Sequence, residues 1–362
     1  MEGFHASLRN RVTTLGTPVV SPLPEFYEVF DEQNVLNIAD SLERHHELPR
    51  AFSYFGSGAR HWDDSVTLQP PRPDIAALRD RLPFLDEYFA GRSRLDVVDV
   101  GPGNGDPARV VLSHLLARGV LGRYLAIDVS PGMLKIAENR LRTWFGSSAP
   151  FEGHVLDIGR DRFDHLVPAL SGSPEGPVRD PARACLALLL GGTLGNLRSP
   201  EDALGNVRGS LGRSDLLAVS ERLDECPGPS ARPGGARRGT APPPPRLSPF
   251  NRFLLDLLGI PESLYAVEFG IDPRRDTRFI RVRLGAPVRL RLRTGAGERH
   301  VDLSEGTPLE LWRYWRLTPA ELAARLARSG LEPVFAGDAA PGEFILSLSR
   351  PCLPSPSGTP AG

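Results

Sequence analysis

Three glycines at alternate positions, directly after an apolar run, restrict this chain of 362 residues to few folds. Residues 95–106 read LDVVDVGPGNGD, with Gly101, Gly103 and Gly105 before a stretch of helical spacing. The pattern predicts a strand, a tight turn and a helix, because glycine adopts positive φ and lets a ligand approach the backbone. The helix N-terminus adds free N–H groups and the positive end of the helix dipole. Dinucleotide-binding folds use Gly-x-Gly-x-x-Gly/Ala instead, and Asp106 stands where that pattern needs its third small residue.

Apolar runs and helical patterns alternate after this turn. Strands are predicted at 95–100, 123–127, 154–156, 184–190 and 216–220, with helices at 107–118, 130–144 and 200–211. The alternation predicts an α/β fold with a doubly wound, Rossmann-like sheet, which binds ligands beyond the carboxyl ends of its strands. Alternating residues at 278–303 predict two added antiparallel strands, joined at 285–287.

Shifts in composition divide the chain into five predicted segments. These are a helical cap (1–94), the sheet domain (95–225), an insert (226–249), a C-terminal part with substrate-facing strands (250–350) and a flexible tail (351–362). The insert is rich in proline, glycine and arginine and lacks the apolar residues needed for packing. Two origins stay open for it: a natural disordered insert, or a stretch of GC-rich DNA read in the wrong frame.

Charge and cysteine content argue against several functions. The net charge of −1 gives no indication of a nucleic-acid or anionic membrane partner. The three cysteines form no metal or redox motif, and no apolar run approaches the roughly 18 residues of a membrane span. We therefore expect a cytoplasmic protein that acts on a small molecule or a peptide and holds no metal. Lys135 is the only lysine, and we attribute the excess of arginine first to codon usage.

Two aspartates end successive predicted strands. Asp128 follows the second strand, where a carboxylate binds ribose hydroxyls in nucleotide-binding sheets. Its alternative role is an Asx turn into the helix that begins near Ser130. Asp157 ends the third strand, where it is expected to accept a hydrogen bond from an adenine amine, with Ile158 covering the ring. The alternative for Asp157 is an ordinary residue of a surface turn.

A second glycine-rich loop follows the most apolar strand. Residues 190–197 read LGGTLGNL, and small residues such as Gly192 and Thr193 would allow cofactor and substrate to approach the backbone. Asn196 both donates and accepts hydrogen bonds, which suits the carboxylate or amine of a small substrate. An ordinary left-handed turn has the same composition, so this loop alone is a weak signal.

Together, these segments resemble a known family. The blocks GTLGNL (192–197), DVGPGNG (99–105) and IDVSP (127–131) resemble S-adenosylmethionine (SAM)-dependent methyltransferases of the L-histidine Nα-methyltransferase, ergothioneine-pathway type. The resemblance runs from about residue 95 to the C-terminus and implies a class I methyltransferase sheet with SAM as cofactor. It implies that Gly101, Gly103, Asp128 and Asp157 hold SAM and that Asn196 faces the substrate.

The chain departs from the family pattern in its substrate-binding segments. The aromatic N-terminal substrate segment is represented only by candidates such as Tyr54, and the insert replaces a segment that carries a substrate tyrosine. On a later strand the family places a glutamate and a serine for the amino acid, and residues 279–283 here read FIRVR. Arg281 and Arg283 would favour a substrate carboxylate if they point inward, and otherwise they lie on a solvated strand face.

The expected reaction is transfer of the SAM methyl group to an amine of an amino acid or a derived small molecule or peptide. No residue is identified as the base that takes the proton of the amine. A small-molecule O- or C-methyltransferase and an inactive SAM-binding homologue in a pathway complex are the alternatives. A nicotinamide-dependent oxidoreductase is disfavoured by the glycine spacing.

Overall fold

The computed structural model describes residues 17–70, 72–167, 171–173, 176–223, 245–340 and 343–352. Most of the predicted insert and tail lies outside the described residues. The helices are α1 (Pro24–Val29), α2 (Glu32–His45), α3 (Ser57–Thr67), α4 (Pro73–Asp80), α5 (Leu82–Tyr88), α6 (Asp106–Ala117), α7 (Pro131–Phe145), α8 (Thr193–Asn196), α9 (Pro200–Ser210), α10 (Pro249–Leu257) and α11 (Pro319–Arg328). The strands are β1 (Val19–Val20), β2 (Arg94–Val100), β3 (Leu121–Asp128), β4 (Phe151–Val155), β5 (Ser171–Ser173), β6 (Gly176–Val178), β7 (Arg183–Leu189), β8 (Leu216–Arg222), β9 (Tyr265–Asp272), β10 (Thr277–Leu284), β11 (Val288–Thr294), β12 (Gly297–Leu303), β13 (Pro308–Trp315), β14 (Leu331–Ala340) and β15 (Phe344–Pro351).

A seven-stranded sheet forms the centre of the fold, in the order β14-β15-β8-β7-β2-β3-β4. The strands from β8 to β4 pair in parallel, and β15 runs antiparallel to both of its neighbours. Strands β2 and β7 are buried from their second residue onward, as expected for central strands covered on both faces. The predicted doubly wound α/β sheet is confirmed. It brings the carboxyl ends of β2, β3, β4, β7 and β8 to one edge.

The added strands form two smaller sheets, β13-β10-β9 and β1-β11-β12. The prediction that the strands of 278–303 pair with each other across 285–287 is wrong, because β10 pairs with β9 and β13 while β11 pairs with β1 and β12. The connection carries the chain from one sheet to the other. At its ends, the N–H of Gly285 donates to the carbonyl of Leu264 and that of Arg289 to Pro18.

The N-terminal helices and the added strands share one apolar core. Phe26 and Ile38 of α1 and α2 are buried there with Val282 of β10 and Leu290 of β11. A short 3₁₀ helix at Arg50–Tyr54 and helix α3 then lead from this core to the edge of the central sheet, where α3 packs on α7 and α10. The described part of the predicted cap up to α3 therefore lies beside the edge where the strands end, whereas Leu78 of α4 and Leu85 of α5 are buried in the core against the central sheet. None of the described helices has the length and apolarity that a membrane span requires.

Candidate active site

The first glycine-rich turn has the backbone expected of a ligand-binding loop. Gly101, Gly103 and Gly105 have φ values of 67°, 58° and 82°, and no side chain caps helix α6 behind them. Asn104 is buried, and its Oδ1 accepts a hydrogen bond from the N–H of Asp106 at 3.2 Å. Its Nδ2 is also buried and has no partner among the described residues. An amide donor left unsatisfied inside a protein costs free energy, so Asn104 fits a site that a ligand completes.

Aromatic side chains cover the same turn. A Cβ on Gly103 would lie 2.7 Å from the ring of Trp62 on α3, so only glycine fits beneath that ring. Tyr54 stands next, with its ring centre 6.2 Å from that of Trp62. Gly105 instead packs against Leu141 of α7, where a Cβ would approach to 2.7 Å. The turn thus has aromatic residues on its open side and the sheet domain behind it.

Asp128 forms the Asx turn that the sequence offered as its alternative role. Its Oδ1 accepts a hydrogen bond from the N–H of Ser130 at 2.9 Å, and the hydroxyl of Ser130 caps helix α7 by accepting from Met133. The backbone N–H of Val129 is a second donor to the carboxylate, and the lone pairs that remain on its oxygens can accept from a ligand. Burial raises the pKa of Asp128 to about 7.

Asp157 and Ile158 lie at the end of β4. The Oδ1 of Asp157 accepts a hydrogen bond from the N–H of Gly159 at 2.9 Å, and its carboxylate remains 45% exposed. The side chain of Ile158 is buried in the apolar layer on one face of the sheet. The turn geometry agrees with the alternative for Asp157, and a contact with adenine remains a prediction for both residues.

The second glycine-rich loop is closed by side chains from distant elements. A Cβ on Gly191 would lie 2.2 Å from Arg72, and a Cβ on Gly192 would lie 2.6 Å from the hydroxyl of Tyr314. These glycines therefore make room for an arginine and a tyrosine of the protein itself. Thr193 donates its hydroxyl hydrogen to the carbonyl of Leu190 and borders the first glycine loop.

Asn196 ends the one-turn helix α8 and lines the cleft. Its Nδ2 donates to the carbonyl of Gly192 at 2.8 Å, and its Oδ1 accepts from the indole N–H of Trp312 at 2.6 Å. Because both ends of the amide bind protein groups, Asn196 has a fixed orientation. Its second amide hydrogen and the second lone pair of Oδ1 remain for a substrate.

A buried carboxylate that the sequence analysis missed lies beneath this loop. Glu221 of β8 is fully buried and accepts a hydrogen bond from the hydroxyl of Tyr314 at 2.7 Å and a longer one, 3.3 Å, from the N–H of Gly195. Burial raises the pKa of Glu221 to about 7, and burial beside that carboxylate raises the pKa of Tyr314 well above 10. The signal was present, because Glu221 directly follows the predicted strand at 216–220.

Two further polar clusters also escaped the sequence analysis. Arg72 binds Asp74 through two hydrogen bonds of 3.0 and 2.6 Å, and Asp74 accepts another from Ser220. Asp99 lies one residue before the end of β2 and accepts a hydrogen bond from Tyr124 at 2.8 Å. Burial raises the pKa of Asp99 to about 7.

Arg281 and Arg283 do not have the predicted contact with the cleft. Their Nε atoms each lie 2.6 Å from the carboxylate of Glu268 on β9, and neither side chain is among those that line the cleft. The structure shows the alternative considered for them, a solvated strand face with 32% and 42% side-chain exposure. The strand whose side chains meet Asn196 is β13, through Trp312.

A cleft of about 1650 Å³ joins these elements. Its lining includes Tyr54 and Asn196 of the predicted residues, together with Trp62, Asn104 and Tyr314. The other predicted residues are not in that lining: Gly101, Gly103, Gly105, Asp128, Asp157, Ile158, Gly192, Thr193, Arg281 and Arg283. Within the described part of the chain, no group of three or more His, Cys, Asp or Glu side chains is placed to hold a metal ion.

The chain is similar to known proteins. The Histidine N-alpha-methyltransferase of Mycolicibacterium smegmatis is 24% identical over 315 residues, which cover 83% of this chain and 89% of that protein. The protein of the same name from Mycobacterium tuberculosis is 25% identical over 322 residues, with the same coverage. Among solved structures, the CcbJ methyltransferase from Streptomyces caelestis covers 81% of this chain and 98% of its own, at 17% identity and a TM-score of 0.44.

The family model described as "Histidine-specific methyltransferase, SAM-dependent" matches residues 26–224. The match begins well before residue 95, so it includes the N-terminal region with Tyr54 and Trp62 that the resemblance in sequence motifs did not reach. It covers both glycine-rich loops and Glu221. The chain therefore belongs to the family of histidine-specific, SAM-dependent methyltransferases and is an enzyme that uses SAM.

Proposed function

We propose that this enzyme methylates an amine of an amino acid, or of a small molecule or peptide derived from one. The observation that supports this best is that one cleft is lined by Asn104 of the first glycine-rich loop and by Gly191 and Asn196 of the second. Tyr54, Trp312 and Tyr314 line the same cleft, and the family match covers both loops. The curated relatives are named for the α-amine of histidine. The residues around Asn196 are aromatic here, which supports an amine acceptor without assigning it to histidine.

SAM supplies an activated methyl group on its sulfonium. We assign its binding to the turn of Gly101, Gly103 and Gly105, with Asn104 donating from its unsatisfied amide and Asp128 accepting from ribose through its second oxygen. Asp157, Ile158, Gly192 and Thr193 complete the predicted cofactor site. Tyr54 and Trp62 cover the open side of the turn, and their role is to exclude water and hold the acceptor near the methyl group.

The proton of the acceptor needs a receiving group, because only a neutral amine is nucleophilic. Tyr314 lines the cleft and donates its hydroxyl hydrogen to Glu221. In the proposed step, Tyr314 takes a proton from the ammonium form of the acceptor as its own proton passes to ionised Glu221. The amine nitrogen then bonds to the methyl carbon while the carbon–sulfur bond breaks. Glu221 is suited to this role because its pKa of about 7 lets it accept a proton near neutral pH.

The first experiment is calorimetric titration of the purified protein with SAM and with NAD(H). It is followed by measurement of S-adenosylhomocysteine release with amino acids and peptides as acceptors. We expect SAM to bind, NAD(H) not to bind, and an amine to be methylated. Failure of the folded protein to bind SAM would overturn the proposal, and methylation only of hydroxyl or carbon acceptors would replace the amine with another nucleophile.

Tyr314→Phe tests the proton step. We expect kcat to fall by about 10²-fold or more with little change in KM, and the dependence of kcat on pH near 7 to flatten, since general acid–base catalysis contributes at least that much. Tyr265→Phe is the matched control, because the buried hydroxyl of Tyr265 has no hydrogen-bond partner among the described residues. Equal kcat values for the two variants would remove Tyr314 from the reaction.

A further inference from the structure

Arg50 is a cation in the cleft without a carboxylate partner among the described residues. Its guanidinium lies 4.1 Å from the ring centre of Phe250 and 5.8 Å from that of Tyr54. Nη1 donates to the amide oxygen of Asn251 at 2.7 Å, and Nε is buried without a hydrogen-bond partner. By contrast, Arg313 on β13 binds two carboxylates. The rings of Tyr54 and Phe250 are 5.0 Å apart, so the guanidinium lies to one side of this aromatic pair. Held in this way, it retains its charge and has hydrogen-bond donors left unused.

The charge of the cleft is strongly unbalanced. Its described lining contains eight arginines and one carboxylate, that of Asp106, whereas the whole chain has a net charge of −1. Some of these arginines have protein partners, as Arg72 has Asp74. Arg222 resembles Arg50, because it stacks on the ring of Phe344 and has no ion pair among the described residues. Clefts lined by one sign of charge attract ligands of the opposite sign.

Arg50 lies on the side of the cleft away from the glycine turn. Trp62 covers Gly103, Tyr54 stands 6.2 Å from Trp62, and Phe250 stands 5.0 Å from Tyr54. The guanidinium of Arg50 contacts Phe250 and Tyr54, whereas Trp62 is the ring that contacts the turn. An acceptor bound beside Phe250 and Tyr54 can therefore reach the guanidinium.

We propose that the methyl acceptor is anionic and that Arg50 binds its oxyanion, a carboxylate or a phosphate. This inference rests on the proposed function, since it concerns the acceptor of the same cleft. The planar guanidinium forms paired hydrogen bonds with both groups, and the unused Nε is one of the donors such a pair needs. The carboxylate is either the α-carboxylate of an amino acid or a second acidic group on its side chain.

The test uses the full chain saturated with S-adenosylhomocysteine and three calorimetric comparisons, each of an anion with a neutral analogue. L-glutamine against L-glutaminamide reports on the α-carboxylate, L-glutamate against L-glutamine on a side-chain carboxylate, and O-phospho-L-serine against L-serine on a phosphate. We expect at least one anion to bind about 10- to 100-fold more tightly than its analogue, the range for charge-assisted hydrogen bonds. If the protein discriminates in none of the three comparisons, the inference fails.

Variants assign the discrimination to Arg50. Arg50→Gln is expected to abolish it while SAM affinity stays unchanged, and Arg50→Lys is expected to retain part of it. Arg289→Gln is the matched control, because Arg289 is exposed and paired with Asp302 away from the cleft. If Arg50→Gln still discriminates between the anion and its neutral analogue, the inference is overturned. It is also overturned if the variant loses SAM affinity as much as anion affinity, because Arg50 would then bind the carboxylate of the cofactor. SAM binding to the wild-type protein is measured separately, so failure of the proposed function can be distinguished from failure of this inference.

Discussion

Replacement of Asp128 by asparagine and by alanine separates its two roles. Asparagine keeps an oxygen that accepts from the N–H of Ser130, a bond of 2.9 Å, and so keeps the turn into α7. Alanine removes the turn, which costs about 1 kcal/mol of unfolding free energy and lowers Tm by a few degrees. Both variants lose the charge that binds ribose. Loss of a hydrogen bond to a charged group is worth about 1.5–3 kcal/mol, so we expect the Kd for SAM to rise about 10- to 150-fold in both.

The pH dependence of SAM binding gives an independent test of Asp128. A ligand that hydrogen-bonds to the ionised carboxylate binds better as that carboxylate loses its proton, and the pKa of Asp128 is about 7. Wild-type affinity for SAM should therefore rise about tenfold from roughly pH 6 to pH 8 through this group. Asp128→Asn should lack that share of the rise. If calorimetry shows wild-type affinity and wild-type pH dependence for Asp128→Asn, then Asp128 serves only the turn and the ribose assignment is refuted.

Three further substitutions test the packing and charge of the fold. Glu221→Gln should stabilise the protein above pH 7 by up to about 3 kcal/mol and have little effect near pH 5, because the raised pKa of Glu221 means that its ionisation destabilises the folded state. A difference in Tm between variant and wild type that does not vary with pH would contradict this. Gly103→Ala should lower the free energy of unfolding by about 1–2 kcal/mol because of the positive φ at this position, and it should also weaken SAM binding because the new methyl group displaces the ring of Trp62. Gly119 has a φ of 68° and nothing near its Cβ position, so Gly119→Ala should lower Tm without changing SAM binding. Asp215→Ala should cost about 3–5 kcal/mol in urea unfolding because it removes the carboxylate that binds buried Arg179 at 2.6 Å, and a loss below about 1 kcal/mol would be inconsistent with that pair.

The edge to which we assign the cofactor was predictable because its residues lie at or near the carboxyl ends of strands. The turn of Gly101 to Gly105 and the position of Asp128 need only a local pattern and the rule that parallel strands present their carboxyl ends at one edge. Glu221 obeys the same rule, since it lies near the carboxyl end of β8, but no glycine-rich loop or turn residue marks its position in the sequence. Asn196 was predicted to lie at the same edge of the sheet because its loop follows the apolar strand at 184–190.

The acceptor side was not predictable in the same way, because it is built by pairing between distant segments. Trp312 lies 116 positions from Asn196, which it hydrogen-bonds, and Arg50 lies 201 positions from Asn251. Alternation along β10 shows that a strand has two faces, but it does not identify the neighbouring strands. For that reason β10 and β11 were predicted to pair, and Arg281 was considered for the cleft in place of residues on β13.

The arginines show what composition alone leaves undecided. Codon usage was our interpretation of how many there are, and most of those on the added strands have ordinary partners, as Arg283 has Glu268. It does not account for the position of Arg50, which lies against the ring of Phe250 with an unsatisfied buried Nε. Because a buried or stacked charge without a partner is costly, its retention requires a compensating interaction. The described residues supply hydrogen bonds with the amide of Asn251 and the hydroxyl of Tyr54, and both groups are uncharged. We therefore propose that the opposite charge comes from the ligand, and an anionic acceptor would supply it.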